Sequence, residues 1–171
     1  MLKKTSALTL LVVLLSASLA VAQTKGAKQS GVGVWKLDVT QSKFGSAESS
    51  VKSATLTILK DTPDAMAWRW EGVDATGKSI AFSWSGPLDG SMQDLKDGNG
   101  QAVGKTSMKR DGDVLVRRGD LPDGGSFEAR ATVSSNGNTL TDVETDKSKD
   151  GKAVTDTTVY HRVAGAKPAS K

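Results

Sequence analysis

Few residues in this sequence are equipped for covalent or metal chemistry. His161 is the only histidine and cysteine is absent from all 171 residues. Multi-histidine and thiolate metal sites, and a thiolate nucleophile, are thereby excluded. Serines, threonines and carboxylates abound, but no Gly-x-Ser-x-Gly turn or paired base activates any of them. Asp111-Gly112-Asp113 sets two carboxylates at calcium-like spacing without the remaining loop ligands, and reads as a solvated hairpin tip. Asp97-Gly98-Asn99-Gly100 reads as a turn and not a phosphate loop, because no helix follows it. Neither a catalytic residue, a metal ligand nor a cofactor is expected. What remains is the chemistry of aromatic and thioether surfaces. All four tryptophans, Trp35, Trp68, Trp70 and Trp84, stand in the first half of the chain together with Phe82.

The elements carrying these side chains read as strands throughout. Apolar and polar residues alternate over short runs, turn dipeptides interrupt at regular spacing, and helical periodicity is absent. Val34–Thr40 places Trp35, Leu37 and Val39 on one face, and Lys52–Lys60 does the same for Ala54, Leu56 and Ile58. Ala65–Val73 groups Met66, Trp68 and Trp70 opposite Arg69 and Glu71. Lys78–Ser85 groups Ile80, Phe82 and Trp84 opposite Ser83 and Ser85, and Asp74–Gly77 joins these two runs as a hairpin. Further runs are Ser91–Leu95, Val103–Arg110, Asp113–Gly119, Ser126–Ser134, Asn138–Thr145 and Lys152–Val163. Successive hairpins with one apolar face each must pack on a second sheet or close on themselves. The lack of long crossovers favours closure, which also removes exposed edges. The expected fold is an all-β, antiparallel up-and-down barrel of about 8–10 strands.

The first residues bear on location. Lys3 and Lys4 precede an apolar stretch from Leu8 to Leu15, and small residues end in Ala20-Val21-Ala22. That is the arrangement of a secretory signal peptide cleaved after Ala22, and the apolar run is shorter than the roughly 20 residues of a membrane span. Residues 23–32 read as a flexible leader, 33–163 as the barrel domain and 164–171 as a disordered tail. The mature chain is expected to be periplasmic or extracellular, without a membrane span, and a monomer. The formal charge of +4 loses two lysines with the signal peptide, and the remaining charges of both signs are interspersed. A nucleic-acid partner, which would need a clustered basic face, is not expected.

Gly33-Val34-Trp35-Lys36-Leu37 near the start and Val159-Tyr160-His161-Arg162-Val163 at the end resemble the calycins, the superfamily of the lipocalins and fatty-acid-binding proteins. Residues 33–163 are similar to secreted, lipocalin-like bacterial proteins of unsettled function, through W-K-L-x-V-x-x-S-K-F, D-A-x-G-K and G-K-x-V-x-x-x-x-V-Y. The resemblance implies a plug at one barrel end, with Gly33 bending the strand, Trp35 filling the interior and Arg162 lying across the indole. Two features depart from the fatty-acid-binding proteins. Gln41–Val51 is too short for their helix pair, and Thr158 stands where they carry a carboxylate-clamping arginine.

A small hydrophobic ligand is the expected partner, lined by Met66, Trp68, Trp70, Ile80, Phe82, Trp84, Met108, Phe127 and Tyr160, the last as a polar handle. The opposing wall offers small or polar side chains, Gly104, Thr106, Ala129, Ala131 and Thr158. The same large-against-small pattern describes a filled core. Two readings therefore stand: a non-enzymatic binding barrel, or a filled barrel acting through its surface as an inhibitor or envelope-associated interaction module.

Overall fold

The structure is a computed structural model that describes residues 30–46 and 50–166. The signal peptide read over residues 1–22, residues 23–29 of the leader and residues 167–171 of the tail lie outside the described residues.

Ten strands follow one another: β1 (Gly33–Leu37), β2 (Val51–Asp61), β3 (Ala65–Asp74), β4 (Ser79–Pro87), β5 (Asp89–Asp97), β6 (Ala102–Asp111), β7 (Val114–Asp120), β8 (Ser126–Val133), β9 (Thr139–Lys147) and β10 (Ala153–Arg162). Each pairs antiparallel with its neighbour in sequence, and β1 pairs with both β2 and β10, closing the barrel. Every run read from the alternation becomes a strand, with ends shifted by a few residues. The β3–β4 register sets Trp68 opposite Trp84, Trp70 opposite Phe82 and Gly72 opposite Ile80. A slip by one residue would turn Arg69 and Glu71 inward and the tryptophans outward, so the apolar face pins the register. The outer face carries charges, including the ion pairs Lys105–Asp94 and Arg118–Glu128.

Strand β1 is shorter than its alternation suggests. The Asp38 carboxylate accepts hydrogen bonds from the Thr40 amide (2.9 Å), the Thr40 hydroxyl (2.6 Å) and the Gln41 amide (3.1 Å), turning the chain out of the ladder. Val39 therefore does not share the inner face of Trp35 and Leu37; it is 41% exposed. A second irregularity lies between β4 and β5. Leu88 alone connects them, yet their ladder consists of only Phe82–Asp97 and Ser83–Lys96. Among the strand pairs described, this one has the fewest ladder positions.

The two barrel ends differ. One holds the start of β1, the end of β10 and the short β2–β3, β4–β5, β6–β7 and β8–β9 connections; here the core is dense. The other, the mouth, is ringed by the β1–β2 connection and the β3–β4, β5–β6, β7–β8 and β9–β10 turns.

Candidate functional site

The dense end is sealed by β1 and β10. Trp35 is fully buried, and the Arg162 guanidinium lies 4.1 Å above its ring centroid. Arg162 donates to three backbone carbonyls, from Nε to Gly137 (2.6 Å), Nη1 to Val32 (2.6 Å) and Nη2 to Ser30 (2.8 Å). The indole Nε1 donates to the Gly31 carbonyl at 2.8 Å. Ser30 to Val32, the end of the segment read as leader, are thus held on the plug. Gly33 has φ +151°, and a Cβ there would lie 2.5 Å from Arg162 Nη1. Only glycine leaves room for the guanidinium above the ring. Below this plug, Asp61 accepts from the Gly31 amide (2.7 Å) and pairs with Arg110.

The tryptophans of β3 and β4 point inward and reach across the interior. Trp68 Nε1 approaches Met108 Sδ on β6 (3.4 Å), Trp84 Nε1 donates to the Thr106 carbonyl (3.0 Å), and Trp70 Nε1 donates to the Tyr160 hydroxyl on β10 (3.0 Å). Met66, Trp68, Trp84, Met108 and Tyr160 are buried in one core with Trp35, Ile58 and Leu140. Trp70 and Phe82 are half-buried with ring centroids 6.2 Å apart, and Ile80 and Phe127 are half-buried as well. Five of the nine residues expected to line a ligand therefore fill the dense half, and four stand higher toward the mouth.

The wall facing them is charged. Arg117 of β7 points inward, pairs with Asp142 (3.5 Å) and Glu144 of β9, and stacks on Phe127 (5.2 Å) and Trp68 (5.9 Å). Gly119, two residues on, makes room for the Phe127 ring: a Cβ there would lie 2.5 Å from Cε1. Burial opposes the charge of Arg117, but Glu144 and Asp142 outweigh it and raise the pKa. Burial raises Asp142 and Glu144 against the pull of Arg117. It also raises Asp146, with Asp156 adding repulsion. Asp146 Oδ1 is sealed from solvent without a hydrogen-bond partner. Sequence reasoning missed this wall. The signal was available in β9, where Leu140 is buried and Asp142, Glu144 and Asp146 share its parity while Val143 is 37% exposed. An alternation anchored on Leu140 instead of on the exposed Val143 turns the acids inward.

Open space remains at the mouth. A cavity of about 970 Å³ lies there on the β1–β5 side, lined by Leu37, Ala54, Gly72, Ile80 and Phe82 together with the charged Lys36, Lys52, Glu71, Lys78 and Asp97. Of the nine expected ligand residues, Ile80 and Phe82 line it. Gly104, on the inner face of β6 beside Leu95, would carry a Cβ that meets nothing within 4 Å. Arg117, Asp142 and Glu144 lie within the barrel yet keep 23%, 22% and 32% of their side-chain surface accessible, so they too border space. The exposed His161 sits on the outer face, with Nε2 3.3 Å from Asp38 and 3.0 Å from Gln41 Nε2. No group of three or more His, Cys, Asp or Glu side chains is arranged to hold a metal ion among the described residues, and no described helix is long and apolar enough to cross a membrane.

The closed ten-strand antiparallel up-and-down barrel, with a first-strand tryptophan under a last-strand arginine, is a calycin-like fold. Among solved structures, the chain is similar to zebrafish ileal bile acid-binding protein in a crystal structure with cholic acid. The TM-score is 0.51 at 12% identity, covering 77% of this chain and 98% of that one. The likeness is one of fold. No protein-family model matches the chain, and no curated protein matches it in sequence.

Proposed function

We propose that this barrel binds a small hydrophobic molecule, non-enzymatically, as a monomer secreted to the periplasm or the exterior. The observation that carries the reading is the cavity of about 970 Å³ at the mouth of a barrel sealed at its other end. Its size suits one small ligand, and its lining combines apolar side chains, Leu37, Ile80 and Phe82 among them, with polar and charged ones such as Lys36, Lys52, Glu71 and Lys78. The likeness to a bile acid-binding barrel supports the same reading. Secretion is supported by the Lys3–Ala22 pattern alone. Uptake of the uncharged dye Nile red, followed by its fluorescence, tests the proposal. Folded wild type should take up the dye, and Ile80→Trp, which fills the cavity from its wall, should weaken uptake by about tenfold or more. Absence of dye uptake, with no bound molecule in native mass spectra of protein from its own host, would overturn it.

The second reading, a filled barrel acting through its surface as an inhibitor or envelope-associated module, draws on the solid packing of Trp68, Trp84 and Met108 in the dense half. It predicts that Ile80→Trp changes stability alone, with no uptake to lose.

A further inference from the structure

The cavity lining is ordered by depth. Ala54, Gly72 and Ile80 pair across β2, β3 and β4 in one inward row, with Leu37 beside it and Phe82 one step deeper. Lys52 lies two residues beyond Ala54 and Lys78 two before Ile80, so both stand about 7 Å nearer the mouth than the apolar row. The two ammonium-bearing residues share one corner. Lys52 Nζ lies 3.9 Å from where a Cβ on Gly77 would stand, at the turn from which Lys78 begins.

Neither lysine has a counter-ion among the described residues. The aspartates of the adjoining turns are committed to backbone. Asp97 Oδ1 accepts the amides of Asn99 and Gln101 at 2.9 Å each. Asp74 Oδ1 accepts the Thr76 hydroxyl at 2.6 Å and the amides of Thr76 and Lys78 at 2.9 Å each. Glu71 is matched in sign by Lys36, which shares its outer row through Thr55. The surplus at the cavity is therefore the positive charge of Lys52 and Lys78. The wall across the barrel has no free cation to compete for an anion, because Arg117 is already held by Asp142 and Glu144. Those acids keep a negative group out of the depth, and the lysines receive it at the mouth.

Resting on the proposed binding function, we infer that the ligand is an amphiphile bound head outward, its anionic head at Lys52 and Lys78 and its apolar body on Leu37, Ile80 and Phe82. The subsite is made by β2 and the β3–β4 turn, at the opposite end of the barrel from the Arg162 plug.

Decyl sulfate, decanol and decyltrimethylammonium, each below its micellar concentration, are titrated calorimetrically at neutral pH into three proteins. These are wild type, the double variant Lys52→Gln with Lys78→Gln, and Lys109→Gln, which removes an exposed lysine at the dense end. Lys52 and Lys78 are exposed, so the double variant should fold, and a thermal melt confirms it. Decyl sulfate should bind tightest, with decanol about tenfold weaker and the ammonium weakest. The double variant should bring decyl sulfate to the level of decanol and leave decanol unchanged, and Lys109→Gln should alter neither. Inorganic sulfate should not bind at the same concentrations, since exposed ammonium groups alone hold a free anion weakly. Four results would overturn the inference while leaving a hydrophobic site standing. They are decyl sulfate no tighter than decanol, indifference to the double variant, an equal loss in Lys109→Gln, and inorganic sulfate binding as tightly as its decyl ester. If none of the three amphiphiles binds to the folded wild type and Nile red is not taken up, the binding function falls and the inference with it.

Discussion

At the scale of single residues the plug is the most tightly specified feature. Trp35 is fully buried, and Arg162 stacks on it while bonding three carbonyls from different parts of the chain. Trp35→Ala should cost about 3–5 kcal/mol as the truncation of a buried aromatic. Arg162→Ala should cost less, through lost stacking and three unsatisfied carbonyls. Because the side chains touch, the double variant should depart from additivity by about 0.5–3 kcal/mol. Urea denaturation of the two singles and the double measures this, and additive losses would count against a shared plug. Arg162→Lys should not restore stability, since an ammonium cannot cover the ring and reach three acceptors with a planar fork. The Trp35–Arg162 contact was anticipated through the resemblance that the Gly-x-Trp and Tyr-x-Arg motifs carry. The involvement of Ser30 to Val32 was not, since backbone carbonyls carry no signature.

At the scale of elements, β9 governs the response to acid. Its inward Asp142, Glu144 and Asp146 have pKa values raised by burial above the ordinary 3.8 of aspartate and 4.5 of glutamate. In the window above those values the folded state binds more protons than the unfolded chain. Stability therefore rises as the solution is acidified from neutral, and the gain is complete once the ordinary values are passed. Asp38 acts in the opposite sense. Its hydrogen bonds from Thr40 and Gln41 lower its pKa to about 2, so its contribution is present above 3.8 and fades as the pH falls toward 2. Asp74, lowered by bonds from Thr76 and Lys78, adds to that loss. Urea midpoints should climb from neutral toward mildly acid solution and drop at strongly acid pH, and Asp146→Asn should flatten the climb. A midpoint that only falls on acidification would show that Arg117 fully stabilises the charged acids. The seam between β4 and β5 gives a second expectation. With two paired positions in its ladder, those amides of Ser85, Gly86 and Asp89–Gln93 that point into the seam, and not toward β3 or β6, should exchange with deuterium well before those of β2 and β3. Equal protection would mean the seam is closed in solution.

At the scale of the whole molecule the barrel divides into a solid half and an open one. Trp84→Ala, at a site 2% exposed and bonded to β6, should cost about 3–5 kcal/mol. Gly104→Leu faces open space, so it should leave stability unchanged or raise it by roughly 0.5–1 kcal/mol, the amount a strand glycine forfeits. It should also reduce Nile red uptake. Thermal melts and dye titrations of the two variants locate the boundary between core and cavity; a marked loss of stability in Gly104→Leu would place that boundary nearer the mouth.

Period-two alternation, the turn glycines and the lack of long connections by themselves determined the all-β class, a count of about 8–10 strands and the antiparallel order; the structure settled the count at ten. These are local properties of backbone and side chain, and each repeats along the chain. The parity of β3 and β4 was equally firm, because a slip would bury Arg69 and Glu71. Tertiary structure alone decided where the interior is full. Volume depends on how Trp68, Trp84 and Met108 meet across the barrel, and no single strand contains that sum. It also decided the direction of β9. Leu140 and Val143 offer opposite parities, and closure against β8 and β10 selected the one that sends Asp142, Glu144 and Asp146 inward, where Arg117 of β7 offsets part of the cost. A charge facing inward is affordable only with its partner opposite, and that partner is brought near by the barrel rather than by the sequence.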